Sequence, residues 1–194
     1  GGSTEYWNQF ETSSTTIGKI ALILSKYEAA GVKSYTTDKG FKVVATQTNP
    51  AFAFKLGEGY TKIYRPLELN RKHKHLYIGK KPIDYHNIYG IAQLPEFCKT
   101  ILIVEGLKDC IVANTNLNEQ DIYAVALDNA STIVRPEILS QLRSQCDNLI
   151  LCLDTDDIGL RMSESKSKQY GLRNFILPSL LNENGGKDIS DWFK

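Results

Sequence analysis

Three acidic groupings in the second half of the chain have the residue types and spacing for divalent-metal chemistry. Asp154 and Asp156 stand two apart in Leu153-Asp154-Thr155-Asp156-Asp157, directly after an apolar run. An extended backbone sends alternate side chains the same way, so both carboxylates face one side. Glu105 ends the run Ile101-Leu102-Ile103-Val104, and Gly106 opens the turn that follows. Near the C-terminus lies Gly185-Gly186-Lys187-Asp188-Ile189-Ser190-Asp191. Carboxylates held together repel one another, and a divalent cation removes that penalty. Ligation by oxygen alone favours Mg²⁺ or Mn²⁺, and Mg²⁺ keeps waters and bridges to substrate phosphates. Phosphoryl-transfer sites use such ions to neutralise developing charge and to align the attacking and leaving oxygens. Taken singly, Glu105 is equally well read as a surface acid, and Asp154 or Asp156 as a turn or helix-capping residue. Acids at successive strand ends point to a shared site instead.

The elements that must position these acids are legible in the same half. Ile101–Val104 is short and continuously apolar, as a strand buried on both faces is. Helical segments are expected over Leu107–Asn114, Pro136–Arg143 and Gly159–Tyr170. Further strands are expected over Ile122–Leu127, Leu149–Leu153 and Asn174–Leu177. Strands alternating with helices over short connections imply parallel βαβ units and a doubly wound α/β sheet, whose ligands bind at the carboxyl ends of the strands.

The first half has a different rhythm. Ser14 or Thr15 can cap a helix from Thr16 to Ala30, with Ile17, Ile20, Ala21, Leu24 and Tyr27 at helical spacing and Gly31 as its stop. Tyr6, Trp7 and Phe10 are expected to dock onto the body. Strands follow over Phe41–Thr46, Ala51–Leu56 and Thr61–Pro66, separated by Asn49-Pro50 and Gly57–Gly59. The fold class is therefore α/β: a parallel sheet flanked by helices, preceded by a smaller α+β subdomain. The division is expected near Pro95–Thr100, giving 1–98 and 99–194.

Charge follows that division. Residues 1–100 carry 14 Lys and Arg against 8 Asp and Glu, and residues 101–194 carry 9 against 14, although the net charge is only +1. A basic half joined to an acidic one suits an enzyme that holds a polyanion on one side and metal ions on the other. Residues 71–81 concentrate the basic side: Arg71, Lys72, Lys74, Lys80 and Lys81, with His73, His75 and Tyr77 interleaved. Cations beside stackable rings suit a phosphate backbone with exposed bases, and a solvated charged loop has the same composition.

Several classes are excluded. No stretch approaches the roughly 18–20 apolar residues that cross a bilayer, and no basic-then-apolar leader opens the chain, so a cytoplasmic protein is expected. Gly1 reads as an expression scar. Cys98, Cys110, Cys146 and Cys152 form no C-x-x-C pair and are expected to be buried thiols rather than zinc ligands. There is no G-x-x-x-x-G-K-[ST], no G-x-S-x-G and no H-E-x-x-H.

The order Ile103-Val104-Glu105-Gly106-Leu107-Lys108-Asp109, then Asp154-Thr155-Asp156 with Gly159, then Lys187-Asp188, resembles the Toprim domain of topoisomerases, DnaG-type primases and some nucleases, over about residues 100–194. Upstream, Ile63-Tyr64-Arg65-Pro66-Leu67, Arg71–Tyr77 and Ile88-Tyr89-Gly90-Ile91-Ala92-Gln93-Leu94-Pro95 resemble the segment before Toprim in DnaG-type and phage primases. That resemblance implies a DNA primase core making RNA primers on single-stranded DNA from ribonucleoside triphosphates by Mg²⁺-dependent nucleotidyl transfer. It gives Glu105 metal-binding or acid/base work, and Asp154, Asp156, Asp188 and Asp109 the metal. Asp191 matches less securely. Lys74 is assigned to nucleotide or template phosphate, with Arg71, Lys72, Lys80, Lys81 and Lys108 as further phosphate contacts. The second family lysine before Tyr-Gly has no counterpart, since His86-Asn87 stands there. With neither a helicase motor nor a zinc module, the chain reads as part of a larger protein, or as one that works with a replicative helicase in cis or in trans. A Toprim nuclease and an inactive nucleic-acid-binding module remain the alternatives. A topoisomerase is disfavoured, as no separate domain supplies a tyrosine nucleophile.

Overall fold

The computed structural model describes residues 3–11 and 18–194. Contacts divide the chain into two compact units, one of residues 1–9 and 20–85 and the other of residues 10–19 and 86–194.

The first unit contains α1 (Ser3–Asn8), α2 (Lys19–Lys26), β1 (Ala29–Val32), β2 (Ser34–Thr36), β3 (Lys42–Val44), β4 (Ala51–Gly57), β5 (Tyr60–Tyr64), α3 (Arg71–Lys74) and β6 (His75–Ile78). Four of the strands form an antiparallel sheet in the order β1-β4-β5-β6, and β2 and β3 pair separately. The start expected for the first long helix (Thr16, its caps Ser14 and Thr15, and Ile17) lies outside the described residues. Its end differs from expectation. The helix stops at Lys26, Glu28 turns the chain at φ +50, and Ala29–Val32 becomes a strand. Pairing explains this: Ala29 lies opposite Phe54 and Gly31 opposite Phe52, so small side chains leave room for large ones across the strands. Gly31 is thus a strand residue rather than a helix stop. Trp7 is fully buried, with its ring 5.2 Å from that of Phe52.

Residues 71–81, which composition alone leaves as a possible loop, are a capped turn followed by a strand. Asn70 Oδ1 accepts from the Lys72 N–H, and the chain then pairs His75 with Tyr64 and Tyr77 with Lys62. Residues directly opposite share a face, so His75 and Tyr77 stack along Tyr64 and Tyr60. Lys62 is buried there, its Nζ 5.2 Å from the Tyr77 ring centre.

The second unit contains β7 (Ile88–Tyr89), β8 (Cys98–Val104), α4 (Leu107–Leu117), β9 (Ile122–Leu127), α5 (Pro136–Ser144), β10 (Cys146–Cys152), α6 (Asp157–Tyr170), β11 (Arg173–Asn174), α7 (Ser179–Glu183) and α8 (Ile189–Trp192). The sheet order is β11-β10-β8-β9-β7, with β7 the one antiparallel strand of this sheet. The last strand is shorter than expected: only Arg173–Asn174 pair, because residues 175–178 run on to Pro178, which starts α7. Tyr89 and Gly90 have structural work here. Tyr89 pairs at the sheet edge, and Gly90 turns the chain at φ +94.

Crossover handedness places the helices. The chain moves from β8 to β9 in one direction, then returns across β8 to β10 and on to β11. Right-handed crossovers put helices on opposite faces when the direction reverses. Accordingly α5 and α6 supply Leu139, Leu142 and Tyr170 to a core containing Ile101, Ile103, Val125, Leu149 and Leu151. The alternate residues of those strands face α4. Asn114 of α4 completes the β9 edge where short β7 leaves it open. Its Nδ2 donates to the Ala124 carbonyl at 2.9 Å, and its Oδ1 accepts from the Ala124 N–H at 3.1 Å. The reversal creates a switch point at the carboxyl ends of β8 and β10, where open α/β sheets bind ligands. No helix among the described residues is long and apolar enough to cross a membrane.

Candidate metal centre

Val104 of β8 pairs with Cys152 of β10, so the residues that follow each strand emerge side by side at the switch point. Glu105 leaves β8 there, and Asp154 lies two residues beyond β10. Asp109 comes from the first turn of α4 and Asp188 from the residue capping α8. Asp109, Asp154 and Asp188 are all buried, and each offers a ligand atom within 4.8 Å of the others.

Two glycines make this packing possible. A Cβ on Gly106 would stand 2.8 Å from Asp109 Oδ2, so only a bare α-carbon lets that carboxylate fold back over the start of α4. A Cβ on Gly159 would stand 2.2 Å from the Asp154 carbonyl oxygen. The first turn of α6 therefore passes directly against the backbone of Asp154.

Asp156 has two jobs. Oδ1 caps α6 by accepting from the Gly159 N–H at 2.9 Å, as its reading as a capping residue requires. Oδ2 accepts from the Lys187 ammonium at 2.9 Å, and Asp154 Oδ2 accepts from the same Nζ at 2.6 Å. Thr155, between them, donates both its N–H (2.7 Å) and its hydroxyl (3.0 Å) to the Lys187 carbonyl. Ser190 donates to Asp109 Oδ1, and Lys108 donates to Asp188 Oδ2 at 2.8 Å. Asp191 braces the same loop by accepting from the Lys187 N–H.

The electrostatics follow from burial and crowding. Asp109 is held well above the ordinary carboxyl range by desolvation, and the charge of Asp188 adds to it. Burial, reinforced by Asp154, pushes Glu105 up to about 7. Glu105 Oε2 is buried and has no hydrogen-bond partner. Desolvation also raises Asp154, although Lys187 opposes it. Asp156 moves the other way, lowered by the Gly159 N–H and then by Lys187. For Lys187, burial works against its charge, but its hydrogen bonds to Asp154 and Asp156 prevail and hold it above the usual lysine value. The N-termini of α4 and α6 add partial positive charge on the side of the acids. Beneath the site, burial pushes the Cys152 thiol up to about 12, with Asp109 and Asp154 adding to the effect.

The structure thus brings Asp109, Asp154 and Asp188 together, with Asp156 linked to Asp154 through Lys187 and Glu105 within electrostatic reach. Lys108, which the resemblance gives to phosphate, donates to Asp188 Oδ2. Arg71, Lys72, Lys80 and Lys81 are exposed on the first unit, and Lys74 is half-buried there. Sequence reasoning did not assign roles to Lys187, Thr155 and Ser190. Each adjoins an aspartate in the sequence but serves a different group, since Lys187 holds Asp154 and Asp156, Ser190 donates to Asp109 and Thr155 donates to the Lys187 carbonyl, so adjacency alone gave no signal.

No protein-family model matches the sequence, and no curated protein does. Solved structures do. The primase fragment of the bacteriophage T7 primase–helicase superposes with a TM-score of 0.55 at 14% identity, over 88% of this chain and 64% of that one. Primase domains in a complex with the T7 lagging-strand DNA polymerase, an RNA/DNA hybrid and dTTP give 0.50 at 16% identity, over 84% and 80%. The zinc-binding and RNA-polymerase domains of the Aquifex aeolicus primase give 0.51 at 13% identity, over 94% and 53%. This chain has the fold of a primase catalytic core. At such identities the likeness speaks for the fold, and the chain spans about two-thirds of the T7 primase fragment and half of the Aquifex one.

Proposed function

We propose that this chain is the RNA-polymerase core of a primase, joining ribonucleotides on a single-stranded DNA template. The observation that carries this reading is the meeting of buried Asp109, Asp154 and Asp188 within 4.8 Å at the switch point of a primase-like fold. The donor set, all carboxylate oxygen with the unpartnered Glu105 Oε2 beside it, fits Mg²⁺ or Mn²⁺. Asp109, Asp154 and Asp188 would hold the ion, with Asp156 adjacent, and when bound it would neutralise triphosphate charge and align the reacting oxygens.

The protein's own contribution is proton handling and phosphate binding. Glu105 exchanges its proton near neutrality, which suits a general base working at physiological pH. In this reading Oε2 takes the proton of a primer 3′-hydroxyl as that oxygen bonds to the α-phosphorus and pyrophosphate leaves. Arg71, Lys72, Lys74, Lys80 and Lys81 hold template and nucleotide phosphates. The division of labour is a basic subdomain and an acidic Toprim domain. The partner implied is a replicative helicase, in cis or in trans, and the compartment is the cytoplasm.

The test is incorporation of labelled ribonucleotides on single-stranded DNA with Mg²⁺ or Mn²⁺. Wild-type protein yields short RNA products and Asp154→Asn yields none; equal yields refute the assignment. Incubating labelled DNA with Mn²⁺ and no nucleotides separates the rivals. Cleavage there replaces polymerase by nuclease, and DNA binding without turnover in either assay replaces both by a binding module.

A further inference from the structure

The two Oδ2 atoms of the Asp154/Asp156 pair are already held by a cation that belongs to the protein. Lys187 Nζ lies 2.6 Å from one and 2.9 Å from the other. The backbone of residue 187 is pinned three ways: its carbonyl accepts from the Thr155 N–H and hydroxyl, and its N–H donates to Asp191 Oδ2. Its side chain is a different matter, half exposed at 50%. A fixed pivot under a half-exposed side chain lets the ammonium leave without the loop moving. Lys108, by contrast, is only 17% exposed against Asp188.

Resting on the metal-binding reading of these acids, we propose that Lys187 is a resident counter-ion, a positioning residue that holds Asp154 and Asp156 until a divalent cation replaces it. The exchange is favourable because one ion of charge two satisfies both carboxylates, and the released ammonium regains water or meets phosphate. Holding the pair also keeps two adjacent carboxylates from splaying apart before the ion arrives. The cost is competition. The apparent affinity for metal is lowered by the fraction of time Lys187 is away from the pair. Charge-assisted hydrogen bonds to two carboxylates make that fraction about one in ten to one in a hundred.

The experiment is a Mn²⁺ titration of metal-free protein, followed by calorimetry and by the loss of free-Mn²⁺ paramagnetic resonance signal. Lys187→Met should bind Mn²⁺ about ten- to a hundredfold more tightly than wild type, and Asp154→Asn should lose binding. Unchanged or weaker binding by Lys187→Met, with binding lost in Asp154→Asn, overturns the counter-ion role and leaves the metal centre standing. Wild-type binding by Asp154→Asn overturns both. Should Lys187→Met not fold, reductive methylation of wild-type protein decides the matter. The Lys187 peptide, read by mass spectrometry, should label faster when Mn²⁺ is present. An unchanged labelling rate overturns the proposal.

Discussion

Gly159→Ala isolates the coupling between helix packing and the acidic centre. The added methyl would lie 2.2 Å from the Asp154 carbonyl oxygen and 2.8 Å from its carbon. Contact needs well over 3 Å, so α6 or the Asp154 backbone must move by about 1 Å. Backbone has no rotamer to escape into, which makes this an overpacking problem costing about 1–3 kcal/mol. The same shift strains the Gly159 N–H bond to Asp156 Oδ1, a cap worth about 1 kcal/mol. Alanine returns about 0.5–1 kcal/mol through its better helix propensity. A net loss of about 2 kcal/mol lowers Tm by about 4–8 °C in a chain of this size. Gly106→Ala is the contrasting case. Its methyl would meet only the carboxylate end of Asp109, at 2.8 Å, and a side chain can rotate. That variant should melt within a degree or two of wild type, yet bind Mn²⁺ at least about tenfold more weakly, a loss of about 1.4 kcal/mol. Differential scanning fluorimetry and calorimetric Mn²⁺ titration read both. Gly159→Ala melting like wild type would refute the packing argument. Gly106→Ala retaining full Mn²⁺ affinity would detach Asp109 from the metal.

Asp109→Asn removes an ionisable carboxyl from a buried, acid-crowded position while keeping an oxygen for the Ser190 hydroxyl. Its metal-free Tm should equal or exceed wild type and its Mn²⁺ affinity should fall about tenfold or more, as paired melts and titrations will show. Asn114→Leu strips the buried Ala124 N–H of its side-chain partner, while the Ala124 carbonyl keeps the Cys110 thiol as a donor. With one buried group left unsatisfied, denaturant unfolding should show a loss of about 1–3 kcal/mol. The pH dependence has a definite sign. Glu105, raised from 4.5 to about 7, binds a proton in the folded state where the unfolded chain has released it. Its stabilising effect is therefore full at low pH and is lost as pH rises through that interval. Asp109 and Asp154, also raised, add to the same slope. Metal-free protein should melt progressively lower between about pH 5 and about pH 8. Glu105→Gln should flatten the slope and added Mn²⁺ should reverse it; a rising Tm in wild-type metal-free protein contradicts the assigned burial.

Where the pattern of side chains is repetitive, the sequence told much about the fold. Ile101–Val104 and Leu149–Leu153 are apolar without alternation because both faces are covered, and that alone separates a central parallel strand from a half-exposed one. Ile122–Leu127 carries the same signature and forms a strand over just those residues. The misreadings fall where tertiary pairing overrides local preference. Ala29 and Ala30 favour helix, yet they become strand because Phe52 and Phe54 need small neighbours across the sheet. His75–Ile78 looked like part of a charged loop because only Leu76 and Ile78 are aliphatic; its other face is built of rings stacked on Tyr60 and Tyr64. Within the candidate site, the acids were visible because carboxylates at strand ends are uncommon. The partners that position them were not, because a serine, a threonine or a lysine beside an aspartate has no pattern of its own until the loop around residue 187 folds back onto Thr155.

The arrangement also bears on how the chain folds before any ion is bound. Five carboxylates (Glu105, Asp109, Asp154, Asp156 and Asp188) crowd one rim of a sheet whose strands are otherwise among the most apolar stretches of the chain. Left ionised and unpaired in such a place, the buried ones, Asp109, Asp154 and Asp188, would cost several kcal/mol each. Three devices reduce that cost, and each leaves the site able to take up positive charge. Burial favours the protonated form of the acids it raises, Asp109 foremost. Lys108 and Lys187 neutralise Asp188 and the Asp154/Asp156 pair. The N-termini of α4 and α6, with the Asp156 cap, turn backbone N–H groups toward the rest. Protons and a half-exposed ammonium are removable, whereas the helix ends are permanent. A centre built this way is stable enough to fold empty and retains a deficit of positive charge that a divalent cation can fill, which is why proton release and the freeing of Lys187 should both accompany Mn²⁺ binding.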